Sequence, residues 1–415
     1  MKKFLTIAVF SFFFCVCFAA CGQASEETLT EGEPKPSINK AQSMEQVAVL
    51  AYELPESKPS ILISFRGYQA KREKQAVFTS AYPIDNFQVR RAADDQVVLE
   101  KTVNYSKAED GTVGTGSFTE LVEEGEYYIF AKGVGRSKSF HIGKSFFAEE
   151  FWNMTDKIRD KARENQASLH ELAQLLMLYE WYPDLFTDED ENGIPQVLEF
   201  LAGWSEREEN STLLTAAVMA KFSFLFRDYD RKLATKLLNK ASTIFEQEKE
   251  GQGTDADYFF ALTELYRATG RYEYRKAIEE YVEYFRNHID FLNREGYLYG
   301  AMTYLTTYQK VNLELCNLLM EQINRKAEEN AESLTKLTDP ATGKNNGPGQ
   351  IFEQACIVVA ANYIMNNPEY NRIVEKVWDY FSGQNVASLD SVSQCEDYAG
   401  YLLLLGQLYA VEERL

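Results

Sequence analysis

Residues 178–199 read LYEWYPDLFTDEDENGIPQVLE, and the fold is decided by how this run is parsed. Leu178, Tyr179 and Trp181 close an apolar-periodic segment, which Pro183 stops because its ring cannot continue a helix. Asp188, Glu189, Asp190 and Glu191 then place four consecutive carboxylates in a loop. Asn192-Gly193 turns the chain, and Pro195 stands where a new helix begins, since its missing N–H is not needed there. The run is therefore one helix end, an acidic connector and a second helix start, the unit of an antiparallel helical hairpin. A solvated acidic tip accounts for the carboxylates as such. Trp181 and Tyr182, just before the loop, are the candidates for an exposed aromatic platform.

Working downstream, the apolar period stays helical from about 147 to 415. Segments near 149–165, 168–182, 195–207, 211–227, 230–249, 255–269, 271–290, 297–307, 309–336, 350–366, 368–382 and 395–412 read as roughly a dozen helices. Tyr258, Ala261, Leu262, Leu265 and Tyr266 share one face, and Gly270 follows as a C-terminal cap. Paired helices in such number predict a hairpin array or toroid.

Upstream, from about 46 to 144, the period is two. Ile61 to Phe65, Gln75 to Thr79, Phe87 to Arg91, Val97 to Thr102, Gly116 to Thr119, Tyr127 to Ala131 and Ser137 to Ile142 predict about seven strands between turn residues. That number in so short a span predicts an immunoglobulin-like β-sandwich without a disulfide.

The amino terminus has a different character. Lys2-Lys3 precedes an apolar run, Phe4 to Phe18, of signal-peptide length, and Ala19-Ala20-Cys21-Gly22 follows. Small residues before a cysteine resemble the bacterial lipoprotein box, which implies acylation of Cys21 and an exported chain held at the cell envelope. Each buried CH₂ of such a lipid contributes about 0.8 kcal/mol. Residues 1–20 read as the signal and 21–45, rich in Glu, Ser and Pro, as a tether that cannot bury a core.

The chain of 415 residues carries a formal net charge of −20, or −22 once the first twenty residues are set aside with Lys2 and Lys3. Nucleic acid is excluded by that balance, because phosphates require clustered cations. Cys316, Cys356 and Cys395 are far apart, no C-x-x-C occurs, and His141, His170 and His288 are scattered, so neither a metal nor a cofactor is expected. No P-loop, G-x-S-x-G or H-E-x-x-H is present.

The opening run resembles the "NGIPD" hairpin of family 9 glycoside hydrolases, cellulase-like enzymes. The similarity continues in ILISFRGYQAKREKQAVF (61–78), in GSFTELVEEGEYYIF (116–130), in FLFRDYDRKLATKLLNKA (224–241), in DADYFFALTELYRATGRYEY (255–274) and in VWDYFSGQN (377–385). The resemblance implies an Ig-like sandwich followed by an (α/α)6 toroid, and a polysaccharide or oligosaccharide as partner.

It also implies a chemistry. Glycoside hydrolysis uses a carboxylic acid at the leaving oxygen and, in inverting enzymes, a carboxylate base about 6.5–9.5 Å away. In the family the base comes from an Asp-Ala-Gly-Asp segment before the helix that leads to NGIPD, and the acid from a Glu upstream of a Tyr-Asn-Ala near the end. This sequence has no Gly-Asp loop between Gly143 and Leu175, no His after His288, and Val392 or Ser393 near the place of the acid. Asp188, Asp190, Glu191, Glu396 and Asp397 are the candidate substitutes. The expectation is a membrane-anchored member that binds glycan or a partner without cleaving it. The alternatives are an active hydrolase of β-glucan-type bonds with relocated carboxylates, and a structural envelope lipoprotein.

Overall fold

A computed structural model describes residues 60–80, 83–108, 111–188, 190–250, 255–288, 290–337, 347–384 and 399–414, without side chains at 106–108, 111–112 and 399. The signal, the tether, Cys21, Cys395, Glu189, Glu396 and Asp397 lie outside the described residues. The described residues belong to one compact unit, Ser57–Leu415.

The first part is a two-sheet sandwich. One sheet has the order β1(Ile61–Leu62), β3(Gln75–Phe78), β7(Gly111–Ser117), β6(Asn104–Ala108). The other runs β2(Tyr68–Gln69), β10(Phe140–Gly143), β8(Gly125–Ala131), β4(Asn86–Arg91), β5(Val97–Thr102), with β9(Gly135–Arg136) paired to β8. Alternation fills the space between the sheets: Phe78, Phe87, Phe118, Tyr127, Ile129, Phe140 and Ile142 are all buried there. The fifth expected strand, Gly116 to Thr119, is corrected to β7, and its hairpin partner β6 adds a strand the sequence reading omitted. Glycine makes GTVGTGS read as a loop, yet the packing demands it. A Cβ on Gly116 would lie 2.4 Å from the Phe87 ring, and one on Gly114 2.4 Å from Val103.

The second part has thirteen helices among the described residues. They sort by burial into two classes. α2(Leu169–Trp181), α4(Leu213–Phe226), α6(Ala256–Thr269), α9(Glu295–Thr306), α11(Pro348–Met365) and α13(Ala399–Glu412) are apolar almost all round. α4, LLTAAVMAKFSFLF, is buried at every position from Leu213 to Ser223. These six pack in the closed order α2, α4, α6, α9, α11, α13 and back to α2. Helices without a polar stripe must be enclosed, and here they form the inner ring.

α1(Phe147–Arg163), α3(Gln196–Arg207), α5(Arg231–Glu248), α7(Tyr272–Glu279), α8(Tyr281–Asn287), α10(Leu313–Thr335) and α12(Pro368–Phe381) are amphipathic and lie outside. α12 buries Tyr370, Ile373, Val374, Val377, Trp378 and Phe381, a clean helical stripe. α7 and α8 divide a single outer segment at Glu280, so the arrangement is six inner and six outer members, the (α/α)6 toroid. Gly270 caps α6 with φ +66, as its position predicts. Pro195 is the residue before α3 rather than its first.

The two parts are joined by polar contacts. Phe65 N–H donates to the Ser382 carbonyl at 2.8 Å, Gln384 Nε2 donates to the Tyr68 hydroxyl at 3.0 Å, and Arg72 meets Glu375 at 2.5 Å. From the last inner helix, the Glu412 carboxylate accepts the Phe146 and Phe147 N–H groups at 2.8 and 3.0 Å. It thereby satisfies donors that α1 cannot satisfy itself.

Candidate functional site

The six inner helices run parallel, so their N-termini gather at one end of the ring. The pairing of levels shows this: His170 of α2 meets Glu295 of α9, and one turn further on Gln174 meets Tyr299. The positive ends of the helix dipoles converge on this pole, which favours carboxylates there.

The described pole holds His170, Asp255, Asp257, Arg294, Glu295 and Glu353. His170 Nδ1 lies 2.8 Å from Glu295, and Arg294 lies 3.2 Å from Asp255. Burial disfavours a charged His170, but the hydrogen bond to Glu295, the charge of Glu295 and that of Asp257 outweigh it and lift the imidazole above its ordinary range. Asp257 is raised, first by burial and then by Asp255 and Glu295, against the pull of His170 and Arg294. Glu353 is raised by burial and by Glu295. Beneath this layer Gln174, fully buried, donates to the Tyr299 hydroxyl at 2.8 Å. Among the described residues no three His, Cys, Asp or Glu side chains converge as a metal site requires.

The connection into the pole is short. α1 ends at Arg163, and Ser168 already caps α2. Ser168 and Glu171 form a capping box, in which the Glu171 carboxylate accepts the Ser168 N–H at 2.8 Å. Lys161 holds the other face of Glu171 at 2.9 Å. Between the two helices stand Glu164, Asn165, Gln166, Ala167 and Ser168.

About 15 Å further along the ring's interior, at the helical rise, is a second polar layer. Lys221 lies 2.5 Å from Glu180 and 3.3 Å from Glu264, and Arg267 pairs with Glu180 and, at 2.5 Å, with Glu264. Thr303 donates to Glu264 at 2.7 Å. Two cations and two anions balance in a buried setting.

The acidic loop that opened the sequence reading lies at the other end of α2. Asp188 accepts the Asn192 and Gly193 N–H groups at 3.1 and 2.7 Å, and Asn192 Nδ2 donates to Asp190 at 2.9 Å. Glu191 is exposed with φ +56, and Gly193 follows at φ +89. Asp188 and Asp190 thus fold the loop onto itself, at the end of the ring opposite His170 and Glu295. Trp181 and Tyr182 are corrected from an exposed platform to core: both are buried, and Trp181 stacks on Tyr363 of α11 at 4.7 Å. The sequence reading passed over His170, Asp257, Glu295 and Glu353 as site residues. Their common signal is position, since each falls in the first two turns of an inner helix.

Comparison with known proteins agrees with this architecture. Residues 188–393 match the glycosyl hydrolase family 9 model, and residues 56–136 match the cellulase N-terminal Ig-like domain. No curated protein gives a match. A metagenome-derived family 9 endoglucanase superimposes with a TM-score of 0.66 at 19% identity, over 79% of this chain and 83% of that one. A family 9 protein of Bacteroides ovatus gives 0.66 at 15% identity over 86% and 100%. An endoglucanase of Alicyclobacillus acidocaldarius gives 0.62 at 14% over 81% and 83%. At these identities the structural likeness is one of fold. With two family models matched in order, and the sandwich and six-hairpin ring both present, the chain belongs to glycosyl hydrolase family 9, with the Ig-like domain at its amino-terminal side.

Proposed function

We propose that this protein is a lipid-anchored glycan-binding member of family 9 that does not hydrolyse its ligand, and that glycan meets it at the pole formed by the N-termini of the inner helices. The observation that carries the reading is the α1–α2 connection. There the family places its catalytic base, and here five residues close on a capping box with Glu171 engaged by both Ser168 and Lys161. A base must hold a water toward the sugar, and a carboxylate occupied by an N–H and an ammonium does not. The polar pole and its exposed edges remain suited to hydroxyl groups. Export and anchoring through Cys21 belong to the same proposal and rest on the sequence pattern.

The test is to incubate the purified mature chain with cello-oligosaccharides and mixed-linkage β-glucans, following reducing ends and binding in parallel. Saturable binding that falls in Glu295→Gln, with no new reducing ends, is the expected result. Release of reducing ends abolished by Asp257→Asn would instead establish an active hydrolase, the second reading, which the raised Asp257 carboxyl favours. Replacing Cys21 by Ser is expected to move the chain from the membrane fraction to the soluble one.

A further inference from the structure

The sandwich carries a cavity of its own. In β4, Phe87 and Val89 turn inward to the core, so strand alternation sends Asn86, Gln88 and Arg90 to the outer face of the sheet. The ladder sets Phe130 of β8, Gln88 of β4 and Glu100 of β5 side by side across three strands. Together with Asp85, Asn86, Arg90 and Lys132 these side chains line a cavity of about 400 Å³. Small-ligand sites measure about 300–1,000 Å³. The floor of the cavity is already ordered. The Arg90 guanidinium lies 4.6 Å over the Phe130 ring, and its Nε and Nη2 donate to Gln88 Oε1 at 3.0 and 2.6 Å. Gln88 Nε2 donates in turn to Glu100 at 3.0 Å. Each long side chain is held by the next, so little rotamer freedom is left to lose when a ligand docks.

We infer that this outer face of the sandwich is a second glycan site, which takes a neutral oligosaccharide. Its lining sets Arg90 and Lys132 against Asp85 and Glu100, so it is balanced in charge within a chain of net charge −20. An anionic ligand would meet Asp85 and Glu100, and a cationic one would meet Arg90 and Lys132. A sugar hydroxyl both donates and accepts, so it is served by the guanidinium and ammonium on one side and by the carboxylates on the other, with the amides of Asn86 and Gln88 able to do either. The half-buried Phe130 ring adds apolar surface for the C–H face of a sugar. The inference uses no residue of the helical ring, so it stands apart from the reading that glycan meets the N-terminal pole.

The experiment titrates cellohexaose and a hexameric oligogalacturonate into the full mature chain by calorimetry, at low and high salt. Cellohexaose is expected to bind the sandwich with an affinity indifferent to salt. Arg90→Ala and Gln88→Ala should each weaken that binding about five- to tenfold, as the loss of one or two hydrogen bonds confers. Lys132→Ala, at an exposed position outside the stacked pair, repeats the test without disturbing the sheet and should cost about twofold or more. Glu295→Gln, in the ring, should leave this binding in place. Binding that Glu295→Gln abolishes and all three sandwich variants leave unchanged overturns the inference and keeps the pole. Binding that only the sandwich variants weaken supports the inference and overturns the pole. Tighter, salt-sensitive binding of the oligogalacturonate overturns the assignment of a neutral ligand, and failure of both oligomers to bind overturns both sites.

Discussion

Replacing Lys221 by Met should destabilise the ring more than its place on a fully apolar helix suggests. The side chain is buried, and its ammonium stands between Glu180 and Glu264 at 2.5 and 3.3 Å. With Arg267 the four charges cancel; without Lys221 one negative charge remains buried and unanswered. Removing one partner of such a group costs about 3–5 kcal/mol, whereas removing a balanced pair costs far less. With an unfolding entropy of about 2.1 cal/mol/K per residue over this chain, that is a fall in Tm of about 3–6 °C. The double replacement Lys221→Met, Glu264→Gln restores the balance and keeps an acceptor for Thr303 and Arg267, so at least half the loss should return. The deficit should also depend on pH. Burial alone would raise the Glu180 carboxyl, but the charges and hydrogen bonds of Lys221 and Arg267 outweigh it and hold it below its ordinary range. In the native chain this contribution is present above the unfolded carboxyl's range and is lost as pH falls through the folded one. In the variant the carboxylates accept a proton more readily, so the gap to wild type should narrow between pH 7 and 5. Thermal unfolding followed by circular dichroism at both pH values measures all three effects. A single variant within 1 °C of wild type, as an order-of-magnitude threshold, or a double no better than the single, would refute the balance argument.

Two other perturbations test the packing and the junction. Gly296→Ala puts a Cβ 2.7 Å from the backbone carbon and oxygen of Ala256, where no side chain can yield, so α6 and α9 must separate. A loss of about 1–3 kcal/mol is expected in urea unfolding, and a neutral result would mean the two helices slide freely. At the junction Glu375 is raised to about 7, by burial first and by Glu73, against Arg72. A carboxyl raised in the folded state contributes stability that is complete below the unfolded value near 4.5 and is lost as pH rises through about 7. Glu375→Gln should therefore flatten the decline in Tm between pH 5 and 8, by an amount on the order of 3 kcal/mol at full extent. Parallel pH curves for variant and wild type would contradict the burial of this carboxyl.

Much of the architecture was open to reading because it rests on local periodicity. α4 lacks a polar stripe and α12 has a narrow apolar one, and that difference alone places one inside and the other outside. β6 escaped, and β7 was read only in part, because the glycines of β7 answer to Phe87 and Val103, contacts absent from the strand's own pattern. The surroundings of Trp181 were hidden for a similar reason. Its neighbours in sequence are an acidic loop, but its neighbour in space is Tyr363, delivered by α11. The acidic run itself invited a chemical reading, yet Asp188 spends its oxygens on the backbone N–H groups of Asn192 and Gly193. Conversely, His170, Asp257, Glu295 and Glu353 are dispersed over four helices, and only closure of the ring makes them neighbours.

The two polar layers of the ring do separate work. The inner layer of Lys221, Arg267, Glu180 and Glu264 ties α2, α4 and α6 together, and Thr303 adds α9. None of these groups depends on what the N-terminal pole binds. The pole is built from helix termini, where a loop can be shortened without opening the core. At the start of α2 the Ser168–Glu171 box supplies acceptors for N–H donors that the helix itself leaves unsatisfied, worth about 1 kcal/mol. Glu171 serves that cap and Lys161 together, so displacing it would cost stability at both contacts. An Asp-bearing loop inserted at residues 165–168 would therefore have to displace the cap before it could present a base.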